Sequence, residues 1–341
     1  MTTETNPGAL DSSSLAEFQQ SYEAQPSHQL MQNVVTQHDV NDVALNRTIV
    51  TEAVNSFSTV LDDWSVTNQA RSGRCWMFAG LNLFRAETRN LLNAVLETAD
   101  RPVDDRVVAW LLHQPLGDGG QWDMFVSLVR KHGVVPKTVM PETDSSGNSM
   151  RMNAGLNYQV RQGARNIRRI YADEGGIDAM REAKQESLRA IYRILCIHLG
   201  NPPAAFDWQW KDRDGEFHRD GEMTPLEFAE KYISTPMEEY VCLVHDPRKD
   251  NPPGRTYTVQ YLGNVVDGAR IKYLNVDIEL MKDIAMRMLQ DGTPVWMGCD
   301  TGKQMHRDKG LWDADLFDYA SVYNAEFSMD KEERLEYHRL P

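Results

Sequence analysis

The spacing of apolar positions changes along the chain, and each change predicts a different kind of element. Residues 1 to about 60 are polar and rich in Ser, Thr, Asn and Gln, with short apolar pieces such as NVVTQ at 33–37. This pattern predicts an extended N-terminal arm that packs onto something larger. From Cys75 the pattern turns helical, with Trp76, Ala79, Leu83 and Phe84 recurring near 3.6-residue spacing. LLNAVLETAD (91–100) reads as a second helical run. DDRVVAWLLHQPL (104–116) reads as a short helix with acids at its start and Pro115 at its end.

GDGGQWDM (117–124) is a loop by its glycine content, and MFVSLVRKHG (124–133) is helical with Gly133 as a stop. VVPKTVMPETDSSGNS (134–149) reads as loop. Residues 173–200 predict a long amphipathic helix that breaks at GNPP. FDWQWKDRDGEFHRD (206–220) alternates around Asp214 and Gly215, which signals a hairpin. TPLEFAEKYI (224–233) is a short helix with Thr224 as its N-cap. Beyond residue 240, YVCLVHD, TYTVQYLGNVV, IKYLNV and PVWMGCD read as strands, and ELMKDIAMRMLQDG (279–292) as a helix. A helical first half and a strand-rich second half predict an α+β protein with two lobes.

Composition narrows the function classes. The chain is 341 residues long, 41% apolar and 25% charged, as in ordinary soluble proteins. Its formal charge of −14 argues against binding nucleic acid, which needs clustered Lys and Arg. Four dispersed cysteines, Cys75, Cys196, Cys242 and Cys299, form no disulfide framework and favour a reducing compartment. The N-terminus lacks the basic and apolar regions of a secretory signal, and no apolar run approaches bilayer length. The expectation is a cytoplasmic protein without a membrane span.

The candidate chemistry sits at NQARSGRCWMFAGLN (68–82). Cys75 falls where a polar loop gives way to a helical pattern, and a helix start lowers a thiol pKa through its unpaired N–H groups. Gln69, six residues earlier, could fold back and donate its amide to a developing oxyanion. The plainer reading of Cys75 is a buried small hydrophobe beside Trp76. Cys196, Cys242 and Cys299 lie in apolar helix or strand patterns and read as core residues.

This segment resembles the active-site segment of papain-like cysteine peptidases, most of all the bleomycin hydrolase and bacterial aminopeptidase C branch. The likeness extends to DDRVVAWLLHQPLGDGGQWDMFVSLVRKHGVVPKTVMPET, to DGEFHRDGEMTPLEFAEKY, and to YLGNVV, YLNV and VWMGCD. It implies a papain-like α+β fold, with an arm at 1–62, a helical lobe carrying the nucleophile at 63–150, a helical insertion at 151–240 and a partial β-rich lobe at 241–341. It implies Cys75 as nucleophile, Gln69 with the Cys75 N–H as oxyanion hole, and Gly119 and Gly120 as the wall on which a substrate backbone pairs. It further implies peptide substrates trimmed from the N-terminus, a homo-hexamer, and neither metal nor cofactor. The family carries its histidine in a THAM-like segment and its asparagine in an ENSWG-like one, and neither is found here. An aromatic FWDK-type segment expected after LFRAETRN (83–90) is also missing. These gaps predict a C-terminally shortened chain with an internal deletion. None of His28, His38, His113, His132, His198, His218, His245, His306 and His338 has the family context, so none is assigned as the base.

Overall fold

The computed structural model describes residues 10–60 except 55, residues 92–298 except 114, 117–119, 213, 235 and 267, and residues 304–330 with 333, 334 and 337. The chain divides into two units. One joins residues 1–62 to 284–337, and the other holds 63–283 with 338–341.

In the first unit the polar N-terminal segment is helical where the sequence pattern predicts an extended arm. It forms α1 (Ser12–Glu23), α2 (Pro26–Val35), α3 (Val40–Ala44) and α4 (Arg47–Glu52). The reason lies in the caps. Asp11, Asp39 and Asn46 each accept a hydrogen bond from the backbone N–H two or three residues on, starting helices whose apolar faces are short. The C-terminal part of the unit closes against them. Asn46 N donates to Leu316 O at 2.8 Å, and Asp318 N donates to Ala44 O at 2.8 Å. Ala44, Leu316, Phe317 and Val322 form the buried centre, with Met31, Val35 and Ile49 packed around it.

The second unit is built on a helical hairpin. Among its described residues the first elements are a helical stretch at 92–97, then α5 (Arg106–His113), α6 (Trp122–His132) and a short α7 (Asp144–Gly147). The hairpin itself pairs α8 (Met150–Ala172) with α9 (Ile177–Leu199). Helix α8 lies almost wholly within the 151–240 stretch for which the resemblance implies a helical insertion. Although the periodicity reading assigned it no element, its buried Met152, Leu156, Val160, Ala164 and Ile167 follow helical spacing. They pack with Met180, Ile191, Leu195 and Leu199 of α9 and with Leu92, Val95 and Leu111. Two arginines of α8 satisfy the ends of earlier elements, where carbonyls lack helical partners. Arg161 Nε donates to Leu112 O at 2.9 Å, and Arg168 donates to Thr98 O at 3.0 Å.

The hairpin expected around Gly215 is present, pairing β1 (Phe206–Lys211) with β2 (Phe217–Met223) antiparallel. Gly215 has φ 86°, the left-handed conformation such a turn requires. Helix α10 (Pro225–Tyr232) starts at Thr224, whose side chain accepts from Glu227 N while Glu227 accepts from Thr224 N. A three-stranded sheet follows, ordered β3 (Cys242–Val244), β5 (Tyr273–Asn275), β4 (Thr256–Tyr257), with β3 parallel and β4 antiparallel to β5. The remaining elements are α11 (Ile278–Gln290), β6 (Met305–His306), β7 (Leu311–Trp312) and α12 (Tyr319–Tyr323).

Two expected strands do not form as expected. Of TYTVQYLGNVV only Thr256 and Tyr257 are strand. The chain then turns, with Tyr261 at φ 61°, and Leu262 and Val265 pack against α6 instead. Residues 294–298 of PVWMGCD form no strand, and 299 and 300 lie outside the described residues.

Two glycines of α8 should respond oppositely to alanine. A Cβ at Gly163 would lie 2.5 Å from Ser187 Oγ, which is itself held by a 2.9 Å bond to Ala183 O, whereas a Cβ at Gly155 meets nothing within 4 Å. Gly155→Ala should stabilise the protein by about 0.5–1 kcal/mol through helix propensity. Gly163→Ala should cost about 1–3 kcal/mol because the α8–α9 contact must open. Denaturant midpoints of the two variants check this; a gain in both would show that the helices do not approach so closely.

Candidate active site

Of the four expected site residues, Cys75, Gln69 and Gly119 lie outside the described residues. Gly120 is described, half-buried, at the mouth of α6. The backbone runs from Gly120 into Gln121, which is extended with φ −119° and ψ 162°, and then into the helix. An extended segment beside a residue without a side chain suits pairing with another extended chain.

What places Gly120 is the anchoring of α6 behind it. Trp122 Nε1 donates to Met237 O at 3.2 Å, and its ring lies 5.2 Å from that of Tyr240. The Asp123 carboxylate accepts from Lys272 N at 3.1 Å. Asn264, almost fully buried, donates from Nδ2 to Met124 O at 3.1 Å. Met124 and Leu128 close a small core with Ile271, each fully buried side chain contributing about 1.5–3 kcal/mol. At its other end, α6 stops at Gly133 with φ 69°, where a Cβ would fall 2.0 Å from Pro225 O. Val134 N then donates to Pro225 O at 3.1 Å. Sequence reasoning found the helix and its glycine stop but not these anchors. Trp122 and Met237 are 115 residues apart and Asp123 and Lys272 are 149 apart, so no local pattern marks them.

The surroundings behind α6 disfavour the thiolate form of one cysteine. Burial pushes the Cys242 thiol up to about 11; the neighbouring Asp123 carboxylate adds to this, and a backbone hydrogen bond at Asp123 opposes it. Burial likewise pushes Tyr273 up to about 12. Cys196 and Cys242, read from the sequence pattern as core residues, are only partly buried. Both are half-buried free thiols, Cys196 with its Sγ 3.7 Å from Asn201 Oδ1, and Cys299 lies outside the described residues.

Several described histidines have identifiable structural ties. His198 Nδ1 pairs with Ser145 Oγ at 2.7 Å, joining α9 to α7. His218 Nε2 pairs with Asp212 Oδ2 at 2.9 Å while its ring stacks on Trp210 at 4.3 Å. His245 Nδ1 pairs with Val276 O at 3.1 Å, and His28 Nδ1 with Tyr22 O at 3.1 Å. His338 lies outside the described residues. Among the described residues, no three His, Cys, Asp or Glu side chains gather as a metal site.

The family model described as Peptidase C1-like family matches residues 9–93 and 87–340. The two stretches meet at 87–93, where the sequence reading expects a family segment to be missing. Aminopeptidase C of Listeria monocytogenes is 35% identical over 348 residues, covering 95% of this chain and 78% of that protein. Bleomycin hydrolase of Rattus norvegicus is 36% identical over 365 residues, covering 97% and 80%. The crystal structure of PepW from Lactobacillus rhamnosis HN001 (DR20) superposes with a TM-score of 0.89 at 37% identity, covering 97% of this chain and 80% of that one. The mixed helix and strand architecture is accordingly the papain-like peptidase fold, and the chain belongs to the Peptidase C1-like family.

Proposed function

We propose that the chain is a cysteine-type aminopeptidase working through Cys75. The observation that carries this is the family match along nearly the whole chain, taken with the resemblance of NQARSGRCWMFAGLN to the nucleophile segment of papain-like cysteine peptidases. In this reading the Cys75 thiolate attacks a peptide carbonyl. Gln69 and the Cys75 N–H hold the resulting oxyanion, the amine leaves, and water hydrolyses the acyl-thioester. Gly119 and Gly120 hold the substrate backbone, and the anchors on α6 keep that wall in place. Peptides are the substrates, in keeping with the relatives named aminopeptidase C.

The proposal extends to the setting. We take the protein to be cytoplasmic and homo-oligomeric, with the arm, helical lobe, insertion and β-rich lobe divided near residues 62, 150 and 240. Free thiols at Cys196 and Cys242 suit a reducing compartment. Among the described residues no helix is long and apolar enough to cross a membrane.

A second reading is a papain-fold chain that binds peptides without turning them over, or that co-assembles with full-length subunits. Turnover of aminoacyl-fluorogenic substrates separates the two. General acid–base help is worth about 10²–10⁴-fold, so the 341-residue chain should run slower by about that factor than a version extended with a family His and Asn segment. Gln69→Ala should cost the extended version a further factor of about 10²–10³, and Cys75→Ala should abolish its activity. Activity surviving Cys75→Ala would remove the peptidase reading. No activity in the extended version would favour the binding one.

The thiols should also differ in reactivity. With its pKa near 11, Cys242 stays protonated at neutral pH. Limiting iodoacetamide, read by peptide mass, should modify Cys75 first and Cys242 later than both Cys75 and Cys196. Equal labelling of the three would contradict the assignment of Cys75.

A further inference from the structure

We propose that a cavity between the C-terminal turn of α6 and the middle of α9 binds a small organic carboxylate with an apolar body. The cavity measures about 380 Å³, at the lower end of the range for small-molecule sites. It lies at the opposite end of α6 from Gly120, roughly 16 Å away at 1.5 Å per residue, so it is separate from the substrate wall.

Its lining combines cations and an aliphatic wall with three further polar or aromatic side chains, His132, Gln185 and Tyr192. Lys131 from α6 and Arg189 from α9 bring two cations to one opening in a chain whose net charge is −14. Arg189 is only partly engaged. Its NH1 meets Glu186 Oε2 at 2.8 Å, with both side chains more than two-thirds exposed, a kind of pair that holds weakly. A guanidinium has five donors, so the remainder can fork onto a carboxylate while Lys131 adds a point charge. The interior is different. Leu188, the fully buried Ile191 and Val265 form an apolar wall, and Asn264 is buried beside them. The Asn264 amide nitrogen is committed to Met124 O, which leaves its amide oxygen as an acceptor on that floor.

Cations at the mouth and aliphatic side chains behind them define the ligand. Inorganic phosphate or sulfate would meet the charges but leave the apolar wall in contact with water. A neutral apolar molecule would leave Lys131 and the remaining donors of Arg189, whose NH1 already meets Glu186, without an anion. A compact monocarboxylate with a branched aliphatic or aromatic body satisfies both.

The test titrates the whole 341-residue chain with 4-methylpentanoate, its neutral amide and inorganic phosphate, followed by ligand-observed NMR. The carboxylate should bind at least about tenfold more tightly than either of the others, the factor expected for charge-assisted hydrogen bonds. Lys131→Ala with Arg189→Ala should remove that preference. Arg165→Ala with Arg169→Ala, an equal charge change on α8, should retain it. Thermal unfolding of both double variants shows that each is folded. Equal binding of acid and amide, equal binding of phosphate, an unchanged preference in the first double variant, or loss in the second would each overturn the proposal. So would an absence of carboxylate binding at high millimolar concentration.

Discussion

Helix α6 is fixed at both ends by bonds that reach far along the chain, and the placement of Gly120 depends on that fixation. Its first turn is tied to residues 237 and 272 through Trp122 and Asp123, and its last residue abuts Pro225 across a glycine that tolerates no side chain. Between these points Met124 and Leu128 are buried against Ile271. Each tie is worth only about 1 kcal/mol net, but together they leave the helix one position. Gly120 sits at its mouth and inherits that position. The helical hairpin of α8 and α9 does comparable work elsewhere in the unit, holding the ends of shorter elements through Arg161 and Arg168.

The anchoring also shows why position beside a helix start does not by itself make a thiol reactive. Cys242 stands near the first turn of α6 and receives a backbone hydrogen bond at Asp123, yet burial outweighs it and the Asp123 carboxylate works in the same direction as burial. A nucleophilic cysteine needs the opposite balance, with access to solvent and net positive potential. The family match and the motif around Cys75 argue for that residue on grounds that Cys242 lacks.

The elements with local signals were legible in the sequence. The Thr224 cap, the Gly133 stop and the turn at Gly215 each follow from one residue type in one backbone conformation. Where expectation and structure part, a non-local or composite cause is visible. The N-terminal helices are held by caps and by packing on residues more than 250 positions away, neither of which shows as strong periodicity. The stretch 256–266 alternates like a strand, but Tyr261 takes a left-handed conformation and its neighbours are drawn under α6. Helix α8 carries its apolar stripe among Arg, Asn and Gly, which masks it. Cys75, proposed as the nucleophile, stands out only through family resemblance, because a lone cysteine beside a tryptophan has a plainer explanation in the core.

The central claim is that one peptide site is shared by the Cys75 segment and the wall at α6. Hydrogen exchange in the presence and absence of a saturating dipeptide aldehyde, which adds reversibly to a thiol, tests it most directly. The account predicts that backbone amides in peptides covering Gln69–Cys75 and in those covering Gly119–Gln121 slow together on binding. Protection of only one of these segments, or protection confined to other parts of the chain, would contradict it.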